Sequence, residues 1–326
     1  MTRRVASVDL GSNTVRLLVA EQTEEGDLRS LHEERRIIRL GEGLHTAGRL
    51  LDHRMQRAIE TLREFREVCR RYGDVSLQVV ATSAVREAAN REAFVDRVRR
   101  EVGLEMQVIS WEEEARLTLE GVLWKLPLEN RRYLVFDIGG GSTEYILGEG
   151  PELKGSAGTR LGVVRLTERF LTRHPVDPKE LEALRAFIAG ELQTVRRQLK
   201  DPVPQDLVGT AGTVTTLAAL EKNLYPYDPL QIHGTRLSRE RVAFWLDYLG
   251  GLTLEERLRL QPLEKGREDL IIAGTALTLE TLRIFDAPGL LVSEYALREG
   301  LLLRALRQKS QARCEGRGKG LTSPGN

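Results

Sequence analysis

The sequence predicts an α/β protein made of two similar domains that face each other across a cleft. The chain has 326 residues and 41% of them are hydrophobic, which is enough for two domains with separate cores. Short apolar segments typical of strands alternate with longer segments of helical periodicity. A glycine-rich turn between two strands occurs near residue 9 and again near residue 137. A repeated unit of this kind indicates two related domains that open with the same hairpin.

Composition and charge exclude several classes of protein. Charged residues make up 30% of the chain and the formal net charge is only +1, so neither a disordered polyelectrolyte nor a surface devoted to nucleic acid is expected. The two cysteines, Cys69 and Cys314, cannot build a disulfide framework or a structural zinc site. No apolar stretch approaches the ~18 residues of a membrane-spanning helix, and no apolar leader follows Met1. We therefore expect a cytoplasmic protein that binds neither nucleic acid nor membranes.

The elements of the first half follow from local patterns. β-Branched residues and leucines flank a Gly-Ser-Asn turn, which predicts a hairpin. Ile59, Leu62 and Phe65 recur about one helical turn apart, with charged residues between them. Ser110 followed by Glu113 has the pattern of a capping box at a helix start. In chain order we predict a hairpin at 4–21, a strand at 28–40, a helix at 49–72, a strand at 77–81, a helix at 84–102, a strand at 106–109 and a helix at 112–123.

The second half repeats the hairpin and then contains more helix. Its strand, glycine turn and second strand occupy residues 133–148. We predict short strands at 207–208 and 290–292, and helices at 178–199, 211–222, 238–249, 254–261, 267–285 and 294–307. From residue 308 the chain combines basic residues with glycines, and we expect a disordered tail there.

The two hairpins carry matching chemistry at their turns. Aligning Asp9 with Asp137 without gaps pairs Arg16 with Glu144. A turn rich in glycine, serine and threonine exposes consecutive backbone N–H groups, which bind phosphate oxygens. The aspartates would repel a phosphate, and a divalent cation such as Mg²⁺ resolves this by bridging carboxylate and phosphate oxygens. Glu144 is a further candidate ligand of the cation, and Arg16 is a candidate to hold phosphate directly.

A third glycine-rich element occurs in residues 208–216, as a short strand, a Gly/Thr turn and a helix start. The positive end of a helix pointed at an anion is a recurring arrangement, although a plain capped helix has the same pattern. The P-loop, the dinucleotide loop, the His-Glu-x-x-His motif and the Gly-x-Ser-x-Gly elbow are all missing from the sequence. Among the histidines only His233, beside Gly234, is a candidate, and a local structural role explains it as well.

Eight segments taken together resemble one known family. They are residues 9–17, 81–87, 112–117, 137–144, 162–168, 209–213, 233–234 and 293–300. In this order they closely resemble the exopolyphosphatase/guanosine pentaphosphate phosphohydrolase (Ppx/GppA) family of the actin, sugar-kinase and heat-shock-chaperone ATPase superfamily. The resemblance runs from about Val5 to Leu303. It implies two ribonuclease-H-like (actin-like ATPase) domains, with residues 1–121 and 298–326 in domain I and residues 122–297 in domain II.

The resemblance also implies an activity and a set of site residues. The expected reaction is Mg²⁺-dependent hydrolysis of terminal phosphoanhydride bonds, in inorganic polyphosphate or, alternatively, in guanosine pentaphosphate. Glu114 matches the general base that activates water, and Asp137, Glu144 and Asp9 match the metal-binding acids. An ion pair at a helix end is an equal alternative for Arg267. The expected substrate-binding residues are Ser12, Asn13, Thr14, Arg16, Arg86, Gly139, Gly140, Gly141, Ser142, Thr143, Gly209, Thr210, Gly212, Thr213 and Arg267.

Two departures from the family pattern and several alternatives accompany this interpretation. Trp111 stands where the family more often has glycine or asparagine. The C-terminal helical region of the long members, related to HD-type phosphohydrolases, has no counterpart, so we expect a shorter and more open cleft. The alternatives are a kinase of the same superfamily and a catalytically silent sensor of guanosine tetra- or pentaphosphate. A homodimer is expected because relatives often dimerise.

Overall fold

The computed structural model describes residues 3–126, 128, 130–200 and 202–318, which form two β-sheets covered by helices. The first sheet has the strand order β3-β2-β1-β4-β5. Its strands are β1 (Arg4–Leu10), β2 (Thr14–Gln22), β3 (Leu28–Ile37), β4 (Val75–Ala81) and β5 (Gln107–Val108). The second sheet has the order β10-β11-β9-β6-β7-β8. Its strands are β6 (Arg132–Ile138), β7 (Thr143–Glu149), β8 (Glu152–Thr159), β9 (Asp206–Thr210), β10 (Arg236–Ser238) and β11 (Gly289–Ser293).

Helices connect and cover the two sheets. In the first half they are α1 (Leu44–Ala47), α2 (Asp52–Arg71), α3 (Ser83–Glu87), α4 (Arg91–Val102) and α5 (Trp111–Lys125). In the second half they are α6 (Val163–Phe170), α7 (Pro178–Gln198), α8 (Ala211–Glu221), α9 (Pro229–Ile232), α10 (Arg239–Gly250), α11 (Leu254–Leu258), α12 (Ile271–Ile284) and α13 (Leu297–Gly318). Within the described residues, none of these helices is long and apolar enough to cross a bilayer.

The two sheets share one topology. In each, three antiparallel strands are followed by parallel neighbours, so β3-β2-β1-β4-β5 corresponds to β8-β7-β6-β9-β11. The register repeats as well, because Asp9 lies opposite Arg16 and Asp137 lies opposite Glu144. The ungapped sequence alignment matched the same four residues, Asp9 with Asp137 and Arg16 with Glu144. The predicted α/β fold with two similar domains is thereby confirmed.

Two helices cross where the sheets meet. One face of α5 packs on the second sheet, where Ala115, Leu119 and Val122 join a core with that sheet's strands. Apolar residues of α13 pack on β1 and β2 of the first sheet. A Cβ on Gly121 would overlap the backbone of α13's first turn, and a Cβ on Gly300 would overlap the backbone of α5. Glycine at these two points therefore lets the helices touch, while the domain boundaries at 121 and 297 stay a prediction.

Several elements differ from the sequence prediction. The helix expected at 84–102 is split into α3 and α4, because the Asn90 side chain is bound to the backbone of Leu50. It accepts a hydrogen bond from the Leu50 N–H and donates one to the Leu50 carbonyl oxygen. The helix expected from 267 begins at Ile271, after a turn. Strand β8 and helix α6 were not predicted. Helix α13 begins three residues later than expected and continues to Gly318, through residues predicted as a disordered tail. Helix-favouring Gln, Lys, Ala and Arg dominate that stretch before its glycines.

Candidate active site

Both glycine turns open onto one cleft between the two sheets. The cleft has a volume of about 100 Å³ and is lined by residues of both halves of the chain. The sequence-predicted residues that line it are Asp9, Ser12, Asn13, Thr14, Arg16, Glu114, Asp137, Gly139, Gly140, Gly141, Ser142, Glu144, Gly212, Thr213 and Arg267. Residues far apart in the sequence thus share one crevice.

The two turns touch each other across the cleft. A Cβ built on Gly140 would lie 2.9 Å from the Cβ and the backbone nitrogen of Asn13. A Cβ on Gly141 would lie 2.5 Å from the Ser12 Oγ and 2.7 Å from the Ser83 Oγ. Real Cβ atoms do not approach other atoms this closely, so only glycine fits here. The backbone N–H groups of the turns can therefore come close to an anion from both sides.

The two aspartates lie half-buried at the ends of β1 and β6. Burial raises the pKa of Asp137 to about 6, and Asp9 pushes it further upward while Arg16 opposes the rise. Burial also raises the pKa of Asp9, against the effects of Arg16 and Arg298. Each aspartate thus holds a proton more readily than usual, and Arg16 only partly offsets the effect of burial.

Glu114 lies in the first turn of α5, where Ser110 caps the helix by accepting a hydrogen bond from the Glu113 backbone N–H. The Glu114 side chain is buried, and its carboxylate pairs with Arg86 Nη1 at 2.7 Å. Burial raises the pKa of Glu114 to about 7, and Arg86 limits that rise. A carboxylate with this pKa can accept a proton from water near neutral pH. Arg86 was expected to contact substrate, but it pairs with Glu114 and is not among the cleft-lining residues.

Glu144 brings a further acid to the cleft from β7. Its carboxylate accepts a hydrogen bond from Ser142 Oγ at 2.8 Å. Burial raises its pKa well above the usual range, and the neighbouring charges of Glu114 and Asp137 raise it further. Three acids therefore repel one another in a poorly solvated place, which is the electrostatic setting that a bound cation relieves.

The residues present fit Mg²⁺ bound together with a phosphate. Among the described residues, no three Asp, Glu, His or Cys side chains converge closely enough to hold a metal alone. Mg²⁺ is usually held by only one or two carboxylates, with phosphate oxygens and waters completing its shell. The buried Oδ1 of Asn13, in the first turn, has no hydrogen-bond partner among the described residues and is one more oxygen available to the cation.

The third glycine-rich element meets the cleft at the start of α8. Ala211 lines the cleft with φ +68°, a left-handed conformation that is costly for a residue with a Cβ. Sequence reasoning did not single it out. Thr143, Gly209 and Thr210 lie behind the cleft-lining residues. Thr143 donates a hydrogen bond to the Leu161 carbonyl oxygen, and Gly209 packs on Phe136.

Two arginines complete the cleft. Arg267 lines the cleft beside Gly212 and donates to Glu264 at 2.8 Å, while its contact with substrate stays a prediction. Arg298 lines the cleft from the start of α13 and pairs with Glu299. Arg298 lies in the matching segment 293–300, but it was not among the expected site residues.

His233 lies outside this constellation. Its Nε2 is 3.0 Å from the Lys125 carbonyl oxygen, and its ring packs edge-on against Tyr295. A local structural role therefore explains this histidine. The remaining geometry defines the class of protein: an α/β protein of two similar domains whose shared cleft is lined by two glycine turns and several buried acids.

Comparison with known proteins identifies the family. A model of the Ppx/GppA phosphatase family matches residues 18–309. Exopolyphosphatase 2 of Mycobacterium tuberculosis is 34% identical over 313 residues, which cover 92% of this chain and 98% of that protein. Guanosine-5'-triphosphate,3'-diphosphate pyrophosphatase of Vibrio parahaemolyticus is 29% identical, over 91% of this chain and 58% of that longer protein. The crystal structure of the Aquifex aeolicus member of the family is 37% identical, covers 95% of this chain and 99% of that one, and superposes with a TM-score of 0.82.

The chain therefore belongs to the Ppx/GppA phosphatase family. The resemblance found in the sequence is confirmed, and so is the predicted class of enzyme, a phosphoanhydride hydrolase.

Proposed function

We propose that the protein is an exopolyphosphatase that removes the terminal phosphate of inorganic polyphosphate. One observation carries the proposal: Asp9, Glu114 and Asp137 line a single cleft together with both glycine turns. A relative that the chain matches over nearly its whole length is an exopolyphosphatase. A cytoplasmic location and a homodimer belong to the same proposal.

The two turns bind the end of the substrate in this mechanism. Backbone N–H groups of both turns and the hydroxyls of Ser12, Thr14 and Ser142 donate hydrogen bonds to the terminal phosphate oxygens. Arg16 neutralises part of their charge. Because the turns touch, the bound phosphate is held from both sides and most water is excluded.

Asp137, with Asp9 and Glu144, would hold Mg²⁺ against the phosphate oxygens. Enzymes of this family generally depend on a divalent cation. When bound, the ion supplies charge neutralisation at the phosphate.

Glu114 acts as the general base. Its carboxylate takes a proton from a water molecule, whose oxygen forms a bond to the terminal phosphorus. The bond from that phosphorus to the bridging oxygen breaks, and the electron pair leaves with the shortened chain. The products are inorganic phosphate and a polymer one unit shorter.

Hydrolysis of guanosine pentaphosphate to the tetraphosphate is the second candidate. A pocket of about 180 Å³ adjoins the cleft, shares Arg16, Ala211 and Arg298 with it, and is also lined by Tyr227. Such a pocket offers room for a base beyond the phosphates. The Vibrio relative, named for action on that nucleotide, supports the same alternative.

The deciding experiment compares kcat/KM for phosphate release from long-chain polyphosphate and from guanosine pentaphosphate, in the presence of Mg²⁺. We expect polyphosphate to be preferred, and a preference for the nucleotide would reverse the assignment.

Glu114→Gln should lower kcat by at least ~10²-fold, the scale of a lost general base, while the variant still binds polyphosphate. Glu113→Gln, one residue earlier on the same helix, is the matched control. Normal turnover by Glu114→Gln would refute the mechanism.

A further inference from the structure

Hydrogen bonds hold Arg86 through only one of its nitrogens. Its Nη1 donates to Glu114 Oε2 at 2.7 Å and to the Ile109 carbonyl oxygen at 3.0 Å. Its Nε and Nη2 are buried and have no hydrogen-bond partner within the part of the chain that the structure describes. Both acceptors meet the guanidinium group at Nη1, so no polar contact among the described residues holds its Nε and Nη2 edge in place. A contact with the face of the group can hold that edge.

The indole ring of Trp111 supplies that contact. The guanidinium carbon of Arg86 lies 3.9 Å from the ring centroid, which is stacking distance. The ring also packs tightly on Gly158 of β8, where a Cβ would overlap the ring carbons. Trp111 thus joins a strand of the second sheet to an arginine that follows β4 of the first. It is not among the residues that line the cleft, so any effect on catalysis must pass through a neighbour.

We propose that Trp111 is a positioning residue: by stacking on the guanidinium group of Arg86 it holds that group in place, and Arg86 in turn aims the Glu114 carboxylate at the attacking water. This inference rests on the function proposed for Glu114. If Trp111 is removed, Arg86 can turn away and Glu114 samples unproductive orientations. The two glycine turns that bind substrate are untouched by this change. The loss therefore falls on kcat and leaves KM for polyphosphate within about twofold.

The test uses two substitutions of the tryptophan and one control. Trp111→Leu removes the aromatic face and should lower kcat by roughly 3–30-fold, the range of a desolvated cation–π contact. Trp111→Phe keeps an aromatic face and should recover kcat to within about threefold of the original enzyme. Trp245→Leu replaces another partly buried tryptophan, on α10 outside the cleft, and should leave kcat unchanged. Thermal unfolding of each variant separates loss of fold from loss of positioning.

A double-mutant cycle separates positioning from a general packing role. Arg86→Gln alone should lower kcat more than Trp111→Leu does. Adding Trp111→Leu to Arg86→Gln should cause no further loss, because the residue through which Trp111 acts is already missing. Independent effects that multiply in the double variant would overturn the inference, as would a normal kcat for a folded Trp111→Leu enzyme. An unchanged rate for Glu114→Gln would instead overturn the proposed function itself.

Discussion

The two glycine turns have the same backbone but opposite charges beside their aspartates. In each turn a glycine N–H bonds the carbonyl oxygen three residues later, at 3.1 Å in the first and 2.9 Å in the second. The residue facing the aspartate differs, because Asp9 faces Arg16 and Asp137 faces Glu144. One repeated scaffold therefore presents a positive group on one side of the cleft and a negative group on the other.

This difference assigns separate tasks to the two turns. In the first turn Arg16 faces Asp9 and limits the rise that burial causes in the pKa of Asp9. In the second turn Glu144 faces Asp137 and adds a second buried acid, whose own pKa is raised well above the usual range. We therefore expect the second turn to recruit the cation and the first to neutralise phosphate, and four substitutions test this division.

The largest effect should come from replacing the aspartate of the second turn, and the aspartate of the first turn provides the comparison. Asp137→Asn should lower kcat/KM by roughly 10²–10³-fold, the scale of losing one preorganised charge-stabilising group. Asp9→Asn should cost about tenfold or less, because Arg16 faces Asp9 across the hairpin and offsets part of its charge. Phosphate release measured against Mg²⁺ concentration checks both, and only Asp137→Asn should require much more Mg²⁺. Equal losses in the two variants would contradict the division.

The sequence predicted the hairpins and their pairing because both are local. A glycine turn between β-branched residues sets the antiparallel register, so the alignment of Arg16 with Glu144 already located the residues that face the aspartates. Strand β8 escaped prediction because its sequence contains lysine and glycines, and its partner β7 is what orders it.

Cleft residues that depend on distant parts of the chain were harder to predict. Arg298 reaches the cleft only because α13 crosses α5, and nothing near it in the sequence signals that crossing. Arg86 was predicted to bind substrate. In the structure it pairs with Glu114, a residue 28 positions later that local sequence patterns do not connect to it. Ala211 adopts its left-handed conformation without being glycine or asparagine, so no residue preference revealed it.

A second test exploits the contact between the turns. Gly141→Ala places a Cβ against the side chains of Ser12 and Ser83 and should force the turns apart. We expect kcat/KM to fall by roughly 10–100-fold, because misplacing a bound group by about 1 Å can cost that much. Gly190→Ala, in the middle of α7, meets no atom within 4 Å and is the matched control. That control should stabilise the protein by about 0.5–1 kcal/mol in urea unfolding and leave activity unchanged. Full activity of Gly141→Ala would show that contact between the turns is dispensable.

Removing the positive charge of the first turn should have a smaller effect. Arg16→Gln should raise KM for polyphosphate by about tenfold while kcat changes less, because Arg16 contributes charge to binding rather than to proton transfer. The increase in KM should shrink at high salt, where electrostatic attraction is screened. Arg29→Gln, an arginine of the same sheet whose side chain is 69% exposed, controls for loss of charge in general. If both substitutions shift KM equally, Arg16 has no specific role.

The smallest effect is on stability and depends on pH. The folded protein holds a proton on Glu144 more tightly than the unfolded chain does, because burial and neighbouring acids raise its pKa. Stability from this group is therefore present at low pH and is lost as pH rises above the ordinary value of 4.5. Glu144→Gln removes the buried charge, so without Mg²⁺ it should be more stable than the original protein at pH 8, by on the order of 1 kcal/mol, with little gain at pH 5.

Urea unfolding in EDTA at the two pH values measures this difference, and Glu149→Gln, at the exposed end of the same strand, should show none. If the second turn binds the cation, added Mg²⁺ should reduce the difference in unfolding free energy between Glu144→Gln and the original protein at pH 8. A difference that Mg²⁺ does not alter would place the cation elsewhere.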